Sequence, residues 1–316
     1  MTAKIFIDGA AGTTGLEIHE RLAGRAELSL IELGDAERKD ADARAEALNA
    51  ADVVILCLPD DAARQAVSLI TNNAVRVIDA STAHRVAPGW AYGFAEMEPG
   101  QRAKIAGASR VANPGCYPTG FLALVRPLVL AGIVPRDFAL SVNVVSGYSG
   151  GGKAMIAEFE DKAAPTFTET VTRTYALNLA HKHVAEMMVH AGLDHAPIFA
   201  PSVGRFYRGM MVDVPLPLWA LPQKTTPAQI HAVLSEAFAG QTLVEVASPE
   251  EIASLKSLDA EALSNTNAMK LYVFGNEAAE QVRLVALLDN LGKGAGGAAV
   301  QNLNIMLDLP ETTGLI

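Results

Sequence analysis

One cysteine, Cys116, lies in a setting that suits nucleophilic chemistry. It follows Pro114-Gly115 and precedes apolar residues at helical spacing, Phe121 to Val125, so the pattern predicts a helix that begins at Cys116. We expect Gly115 to adopt unusual backbone angles just before that helix. Helix N-termini favour the thiolate form of cysteine, and their N–H groups can also stabilise an oxyanion. The alternative is a small apolar core residue, because cysteine is among the most buried residue types.

Two histidines and a glutamate could supply the base that such a thiol needs. They form the pattern His181-x-His183-x-x-Glu186, which we predict to be helical. On a helix His183 and Glu186 share one face, whereas His181 and His183 point to different sides, so a shared metal ion is not expected. A carboxylate beside an imidazole fixes the tautomer that a general base or acid requires. We therefore predict His183 as the partner of Cys116, with His181 as the alternative if the helix begins later, and no metal site.

The amino-terminal residues have the order strand, glycine loop, helix. The apolar strand of residues 4–8 leads into a G-x-x-G-x-x-G sequence, and an amphipathic pattern follows. Small residues let the backbone approach a pyrophosphate, and a helix N-terminus attracts its charge, so this order predicts a dinucleotide site. A plain tight turn is the alternative, because the usual spacing is G-x-G-x-x-G. The predicted cofactor contacts of the loop are Gly9, Ala10, Gly12, Thr13, Thr14 and Gly15.

Strand and helix patterns continue to alternate up to residue 79, which predicts a doubly wound parallel sheet. After its second strand, Glu32 or Asp35 could bind a ribose 2′-hydroxyl, whereas Arg38 and Lys39 could hold a 2′-phosphate. We favour NADP and Arg38, although a solvated helix start is the alternative for these two cations.

The loop after Asp79 lies at the carboxyl edge of this sheet, where ligands bind. Arg85 could clamp a phosphate or carboxylate there, and His84 is expected to be a surface histidine. Two further arginines, Arg205 and Arg208, precede a strand predicted at 211–214 and could reach a substrate carboxylate.

A second glycine-rich loop follows a strand predicted at residues 138–145. Gly147, Gly152 and Lys153 match the G-x-x-x-x-G-K spacing of a P-loop, but Ala154 stands where the Mg²⁺-binding Ser or Thr is required. This difference argues against a kinase or ATPase. The loop instead favours an anion-binding role in which Lys153 faces substrate.

The overall composition narrows the class of protein. A chain of 316 residues exceeds one compact core, so we expect two domains. A formal net charge of −10 argues against binding nucleic acid or an anionic membrane, and no long apolar run or signal peptide is evident, so a cytoplasmic protein is expected. Of the two cysteines, Cys57 lies in a buried-strand pattern and is predicted to be structural. A helix at 228–238 and strands near 242–246, 269–275 and 281–288 suit an α+β second domain, and a last helix from about Ala298 is expected to pack on the first.

Taken together, the motifs resemble the N-acetyl-γ-glutamyl-phosphate reductase family in its shorter form, over nearly the whole chain. That family is related to aspartate-semialdehyde dehydrogenase. The resemblance implies an α/β fold with a Rossmann-type doubly wound parallel sheet in residues 1–115 plus about 297–316. It also implies an α+β substrate and dimerisation domain in residues 116–296, and a homodimer or homotetramer. The motifs that carry it are the Gly9–Gly15 loop, Asp79-x-Ser81 with Arg85, Asn113 to Thr119, the loop before Lys153, the His181 to Glu186 pattern, and Asp289-Asn290-Leu291-x-Lys293-Gly294 with Gln301-Asn302.

The resemblance further implies a reaction of arginine biosynthesis, the NADPH-dependent reductive dephosphorylation of N-acetyl-γ-glutamyl phosphate to its semialdehyde. Cys116 would form a thioester with loss of phosphate, and His183 would take the thiol proton and later assist collapse of the hemithioacetal. Ser81 joins the implied cofactor contacts, and Asn290 would position the nicotinamide. The implied substrate contacts are Arg85, Asn113, Ser149, Gly150, Lys153, Arg205 and Arg208.

Two alternatives remain open at this point. The same chemistry could act on another acyl phosphate, either aspartyl phosphate or a carrier-bound aminoadipyl phosphate, since the shape of the substrate pocket decides between them. A catalytically silent NADP-sensing regulator would keep the glycine loop but would not need Cys116 beside a base.

Overall fold

The computed structural model describes residues 2–34 and 36–315, which form two compact units. Unit 1 comprises the chain up to Ala95, Pro99–Pro114 and the chain from Ala295 onward, and unit 2 comprises Glu96–Glu98 and Gly115–Gly294. Asp35, considered above for a ribose hydroxyl, lies outside the described residues. None of the helices in the described ranges is long and apolar enough to cross a membrane.

A six-stranded parallel sheet forms the centre of unit 1. Its strands lie in the order β2-β1-β3-β4-β6-β5. The direction in which strands are added reverses beside β1, so the loop after β1 lies at the switch point where such sheets bind ligands. This order confirms the predicted doubly wound sheet. The strands are β1 (Ala3–Asp8), β2 (Leu28–Ile31), β3 (Val53–Leu56), β4 (Arg76–Asp79), β5 (Ala91–Tyr92) and β6 (Arg110–Ala112).

Helices connect these strands, and the central strands are buried between them. All four residues of β3 are fully buried, as expected for a parallel strand covered on both faces. The connecting helices are α1 (Thr13–Leu22), α2 (Ala41–Ala50), α3 (Asp60–Leu69) and α4 (Gln101–Gly107).

A seven-stranded mixed sheet forms the centre of unit 2, in the order β11-β12-β13-β10-β7-β9-β8. The pairs β7–β9 and β11–β12 are parallel, and the other pairs are antiparallel. The strands are β7 (Ser141–Gly147), β8 (Thr172–Thr174), β9 (Ile198–Gly204), β10 (Met210–Pro217), β11 (Val244–Val246), β12 (Met269–Asn276) and β13 (Gln281–Leu288). The helices are α5 (Cys116–Leu130), α6 (Gly152–Glu160), α7 (Val184–Ala191), α8 (Pro227–Ala237) and α9 (Pro249–Ser254).

Helix α5 is the central helix of unit 2. Eleven of its 15 residues are buried, and it packs on strands β10, β12 and β13 and on helices α7 and α8. Gly120 allows the close approach to β10, because a Cβ atom at this position would lie 2.7 Å from a methyl group of Val212. The sheet therefore holds α5 tightly, and the first residue of α5 is Cys116.

The last helix, α10 (Gly297–Met306), packs on α1 and α4 within unit 1. Its Asn302 is fully buried and donates from Nδ2 to the carbonyl of Gly93 at 2.9 Å and to Oδ1 of Asn113 at 3.0 Å. These hydrogen bonds join α10 to the segment that leads out of β6.

Candidate active site

Cys116 begins α5, as predicted, and its side chain is partly exposed. Gly115 is the N-cap residue but has φ −75° and ψ 150°, an ordinary extended conformation, so the expected unusual backbone angles are wrong. Pro118 has no N–H group, and Thr119 N–H already donates to the carbonyl of Gly115 at 3.0 Å. Cys116 and Tyr117 therefore supply the N–H groups that precede the first intrahelical hydrogen bond of α5.

Glu186 holds the chain just ahead of this cysteine. It lies in the first turn of α7, is only 2% exposed, and its Oε1 accepts a hydrogen bond from Gly115 N–H at 2.8 Å. A buried carboxylate that accepts a backbone N–H forms a charge-assisted hydrogen bond, which is stronger than a neutral one. Glu186 therefore positions Gly115, the residue before the cysteine. The sequence predicted a different role, in which Glu186 orients His183 from the same face of a helix.

The two histidines lie together in an irregular segment. Helix α7 begins only at Val184, after His183 as N-cap, because Ala176 and Leu179 have positive φ values of 53° and 57° that interrupt any helix. The prediction of a helix through His181 is therefore wrong. The two imidazole centroids are 4.7 Å apart, and His183 N–H donates to Nδ1 of His181 at 3.1 Å. The prediction that the two histidines point to different sides of a helix is also wrong. Because the helix begins later than predicted, His181 stays the alternative base.

Two tyrosines complete this cluster. The ring of Tyr117 lies 5.7 Å from His181 and 5.4 Å from His183, and its Oη is 2.5 Å from Oη of Tyr175. Burial, Tyr175 and Cys116 raise the pKa of Tyr117 well above its ordinary value, and burial raises the pKa of Tyr175 to about 12. Both phenols therefore stay protonated at neutral pH.

A buried amide links three loops of unit 2. Asn290 donates from Nδ2 to Oγ of Ser149 at 2.9 Å, and its Oδ1 accepts from Gly209 N–H at 2.8 Å. Next to it, Arg208 Nε lies 2.8 Å from Oδ2 of the fully buried Asp289. The structure thus brings Ser149, Arg208 and Asn290 together, as three of the predicted site residues.

Gly150, another predicted substrate contact of unit 2, also lies beside this amide, since a Cβ atom on it would be 3.3 Å from Nδ2 of Asn290, whereas Arg205 is engaged elsewhere. Arg205 donates to the carbonyls of Thr170 and Phe159 at 3.1 Å each and to that of Thr168, so its guanidinium fastens these loops. Gly150 and Lys153 are exposed, and Lys153 lies in the first turn of α6. Substrate binding by these residues stays a prediction.

The glycine loop of unit 1 has the tight geometry that close approach requires. Gly9 has φ +91°, and a Cβ at Gly9 or at Gly15 would collide with the carbonyl of Cys57 or of Gly9 respectively. Gly12 is the N-cap of α1 and has no side chain to cover the N–H groups of the first turn. The structure therefore leaves room for an anion at this helix start.

A cavity of about 340 Å³ extends from this loop to the end of β2. Arg38 lines it and donates from Nε to the carbonyl of Leu33 at 3.0 Å. Arg44 also lines it and forms a two-oxygen pair with Asp8, with Nε at 3.1 and 2.9 Å from the carboxylate oxygens. The sequence does not predict Arg44, since its partner is 36 positions away.

The loop after β4 is fastened by a buried carboxylate. Asp79 accepts from Oγ of Ser81 at 2.8 Å and lies 2.6 Å from Nδ1 of His84, whose ring stacks on Trp90 at 4.1 Å. Only 13% of the His84 side chain is exposed, so its prediction as a surface histidine is wrong. Ser81, a predicted cofactor contact, lies in this loop and is buried.

Arg85 is buried and donates from Nε to the carbonyl of Asn113 at 2.9 Å and from Nη2 to the carbonyl of Ala80 at 3.0 Å. Asn113 in turn donates from Nδ2 to the carbonyl of Ala295 at 2.9 Å. The structure brings these two predicted substrate contacts together but uses both to join backbone segments of unit 1. Their contact with a substrate stays a prediction.

The second cysteine has different surroundings. Cys57 directly follows β3, and burial, Asp79 and Asp8 together raise the pKa of its thiol to about 12. The thiol is therefore protonated at neutral pH, as a structural role requires.

Comparison with known proteins identifies both parts of the chain. The family model described as the NAD binding domain of semialdehyde dehydrogenase matches residues 4–105, and the one described as the dimerisation domain of semialdehyde dehydrogenase matches residues 116–290. The chain is 58% identical over 308 residues to proteins named N-acetyl-gamma-glutamyl-phosphate reductase from Brucella anthropi and Brucella ovis, covering 97% of this chain and 99% of each relative.

Solved structures of aspartate semialdehyde dehydrogenases share the fold. The enzyme II from Vibrio cholerae has a TM-score of 0.71 at 16% identity, with 98% of this chain and 99% of that chain covered. The enzyme from Candida albicans has a TM-score of 0.65 at 12% identity, with 97% and 99% covered. Both family models and the 58% identity show that this chain belongs to the semialdehyde dehydrogenase family and, within it, to the N-acetyl-γ-glutamyl-phosphate reductases.

Proposed function

We propose that this chain catalyses the NADPH-dependent reductive dephosphorylation of N-acetyl-γ-glutamyl phosphate to N-acetyl-L-glutamate 5-semialdehyde and phosphate. The observation that carries the proposal is Cys116 itself, a partly exposed thiol at the first position of α5, whose neighbour in the chain, Tyr117, contacts the rings of His181 and His183. The names of relatives at 58% identity support the identity of the acyl group.

In the first step, the sulfur of Cys116 attacks the acyl carbon of the substrate. A carbon–sulfur bond forms, the bond from that carbon to the phosphate oxygen breaks, and phosphate leaves with the electron pair. The thiol proton passes to an imidazole, and we assign this base role to His183, with His181 as the neighbouring alternative. The negative charge that develops on the acyl oxygen is stabilised by N–H groups of the first turn of α5.

Glu186 supports this step without touching the substrate. By accepting the N–H of Gly115, it fixes the residue before Cys116 and hence the direction of the first turn. A reacting atom that is misplaced by about 1 Å can lose about 100-fold in rate, so this hydrogen bond is expected to matter for the rate.

Unit 1 is proposed to bind NADPH, and its glycine loop fits a dinucleotide. Gly9 and Gly15 have no room for side chains, Gly12 leaves the start of α1 open, and the cavity beside them has space for an adenosine. We propose that Ala10, Thr13 and Thr14 line the pyrophosphate and that Ser81 lies beside the cofactor. When bound, NADPH would supply hydride to the thioester carbon. The carbon–sulfur bond to Cys116 would then break, which returns the thiolate and leaves the semialdehyde.

The adenosine end of the cavity carries the choice between NADPH and NADH. Arg38 is exposed at its rim, and we propose that it pairs with the 2′-phosphate. Arg44 adds a second guanidinium, although its charge is already balanced by Asp8. Glu32 is held by His19 at 3.0 Å, so it is not the lone carboxylate that a 2′-hydroxyl site normally offers.

Substrate contacts in unit 2 are proposed for the loops joined by Asn290. Asn290 fixes Ser149 and the backbone at Gly209, so these loops are rigid enough to hold a ligand, and Asn290 is proposed to position the nicotinamide. Lys153, exposed on α6, is the cation we propose for the substrate's negative groups, because Arg205 and Arg208 already bind carbonyl and carboxylate groups of the protein.

We also propose that two copies associate through the sheet of unit 2, as a homodimer or as part of a homotetramer. Asn143, Asp213 and Arg283, on one face of this sheet, line open grooves of about 420 and 530 Å³, and Met211 also lines the smaller one. The family model that matches this unit is described as a dimerisation domain, which supports this assignment.

A substrate panel tests the proposed activity. Phosphate-dependent reduction of NADP⁺ should be at least about 100-fold faster in kcat/KM with N-acetylglutamate semialdehyde than with aspartate semialdehyde, because a site that hydrogen-bonds the N-acetyl group leaves its own polar groups unpaired with the other substrate. NAD⁺ run in parallel should be the poorer cofactor. Faster turnover of aspartate semialdehyde would assign another acyl phosphate, and NADPH binding without any turnover would favour the regulator.

A further inference from the structure

A fully buried ion pair joins Glu96 to Lys293, and the residue after Lys293 packs against the nucleophile Cys116. Nζ of Lys293 is 2.8 Å from both carboxylate oxygens of Glu96, and the two residues are 2% and 3% exposed. Burying two charges carries a desolvation penalty that burying two apolar side chains of the same size does not, so a buried ion pair is weak evidence for stability. Its better-attested use is to fix one arrangement of the groups around it.

The residue after Lys293 contacts Cys116. A Cβ atom at Gly294 would lie 2.8 Å from Cβ of Cys116 and 3.3 Å from its Cα, so only glycine fits in this place. Gly294 belongs to a π-helical turn, Gly292–Gly296, a rare form that often occurs at functional sites. The backbone of this turn therefore forms one wall of the position that Cys116 occupies.

The start of the same turn is anchored independently. The carboxylate of Asp289 accepts hydrogen bonds from Leu291 N–H at 2.8 Å and Gly292 N–H at 3.1 Å, and the carbonyl of Asp289 accepts from Gly294 N–H at 2.9 Å. With Asp289 at one end and Lys293 at the other, the segment that reaches Cys116 is held at two points.

Glu96 belongs to a three-residue segment, Glu96–Glu98, that lies with unit 2 although its chain neighbours on both sides belong to unit 1. The other carboxylate of this segment, Glu98, pairs with Arg126 on α5. One short segment thus holds both the helix that begins with Cys116 and the turn that packs against Cys116.

We infer that Glu96 and Lys293 are positioning residues for the nucleophile: their ion pair seats the backbone of Gly294 against Cys116 and so sets the direction of the sulfur. This inference rests on the proposed role of Cys116, and it deepens that role by naming what holds the thiol in place. Neither side chain is proposed to touch the substrate.

The decisive comparison uses variants that separate stability from positioning. Glu96→Met and Lys293→Met each remove one partner of the buried ion pair, so both should lower the Tm and kcat. The double variant E96M/K293M removes both charges, and we expect it to recover most of the Tm while kcat stays about 10- to 100-fold below that of the unchanged protein, with KM for the semialdehyde nearly unchanged. Recovery of kcat together with the Tm would overturn the inference, because the pair would then be merely structural.

A second variant covers the case in which the double variant does not fold. Glu96→Asp keeps both charges but shortens the carboxylate by one methylene, so the ion pair must move Lys293 to re-form. We expect a Tm close to that of the unchanged protein and a kcat about 10-fold lower. Unchanged kcat in E96D would refute the positioning role.

A chemical readout keeps this test independent of the proposed substrate. The rate at which iodoacetamide alkylates Cys116, mapped by peptide mass over a range of pH, should change in E96D and in the double variant. The exposed pair Arg136–Asp194, also in unit 2 at 2.8 Å, gives the matched control, and R136M/D194N should leave kcat and alkylation as they are. If the unchanged protein turns over no acyl phosphate, the proposed function fails, but the alkylation rates still decide whether this ion pair positions the thiol.

Discussion

The two cysteines of this chain have different surroundings because different secondary structure elements present them. Cys57 follows the carboxyl end of a buried strand, beside Asp8 and Asp79, and these carboxylates and burial raise the pKa of its thiol to about 12. Cys116, which is partly exposed like Cys57, stands at the amino end of a helix and is followed by Tyr117, whose ring contacts both histidines. A thiol beside fixed carboxylates is protected from ionisation, whereas a thiol at a helix N-terminus faces N–H groups that favour an anion.

The largest expected effect comes from exchanging each thiol in turn. Cys116→Ser should lower kcat by about 10³-fold or more, because serine is a far weaker nucleophile at neutral pH. Cys57→Ser should change kcat less than about twofold, since this thiol takes no part in the reaction. Phosphate-dependent NADP⁺ reduction measures both variants. Equal losses in the two variants would remove the distinction between these cysteines.

The two histidines that contact Tyr117 should give the next largest effect. We expect His183→Ala to lower kcat by about 100-fold and His181→Ala by less, because general-base catalysis contributes about 10²- to 10⁴-fold and His183 is the more buried of the two. The pH dependence of kcat/KM measured for each variant shows which imidazole titrates in the reaction. The reverse order of losses would assign the base to His181.

A smaller loss of kcat is expected for Glu186, which acts on Cys116 only through the backbone of Gly115. Glu186→Gln keeps the shape of the side chain but removes the charge that strengthens the hydrogen bond to Gly115 N–H, so kcat should fall about 10-fold. KM should change little, because this carboxylate does not touch substrate. Glu236→Gln, an exposed position on α8, is the control. Equal kinetics in both variants would contradict the positioning role of Glu186.

The smallest effect is expected at Cys57 and concerns stability at high pH. The pKa of this thiol is about 12 in the folded protein, whereas its ordinary value is near 9. The unfolded chain therefore loses the thiol proton first as the pH rises above about 9. The stability that the protonated thiol contributes is therefore complete below pH 9 and decreases between about pH 9 and 12. By pH 10 the free energy of unfolding should fall by about 1 kcal/mol more in the unchanged protein than in Cys57→Ser, as urea midpoints would measure. Parallel curves for the two proteins would contradict this.

The contrast between the cysteines also separates what local sequence predicts from what it does not. The helix start at Cys116, the Gly9–Gly15 loop and the strands at 269–276 and 281–288 follow from periodicity and from glycine positions, which are local properties. The predicted helix at 228–238 matches α8 within one residue at each end, because Thr226 and Gln229 form a capping box there.

Contacts between residues far apart in the sequence were not predicted. The histidine pattern suggested a helix, but positive φ values at Ala176 and Leu179 keep that segment irregular and bring both imidazoles together. His84 is predicted as exposed, yet its partner Asp79 and its stacking on Trp90 arise only when the loop folds over the sheet edge. The Glu96–Lys293 pair joins positions 197 apart, and the motif that contains Lys293 does not indicate which residue it pairs with.

The most direct test of the central claim is whether Cys116 carries the acyl group. With N-acetylglutamate semialdehyde and NADP⁺ but no phosphate, the thioester has no phosphate to accept its acyl group, so a rapid burst of NADPH stoichiometric with active sites should appear. Peptide mass mapping of the quenched protein should then find the acyl group on Cys116, released by hydroxylamine and absent from the C116S variant. An acyl group on Cys57, or full steady-state activity with no adduct at Cys116, would contradict the account.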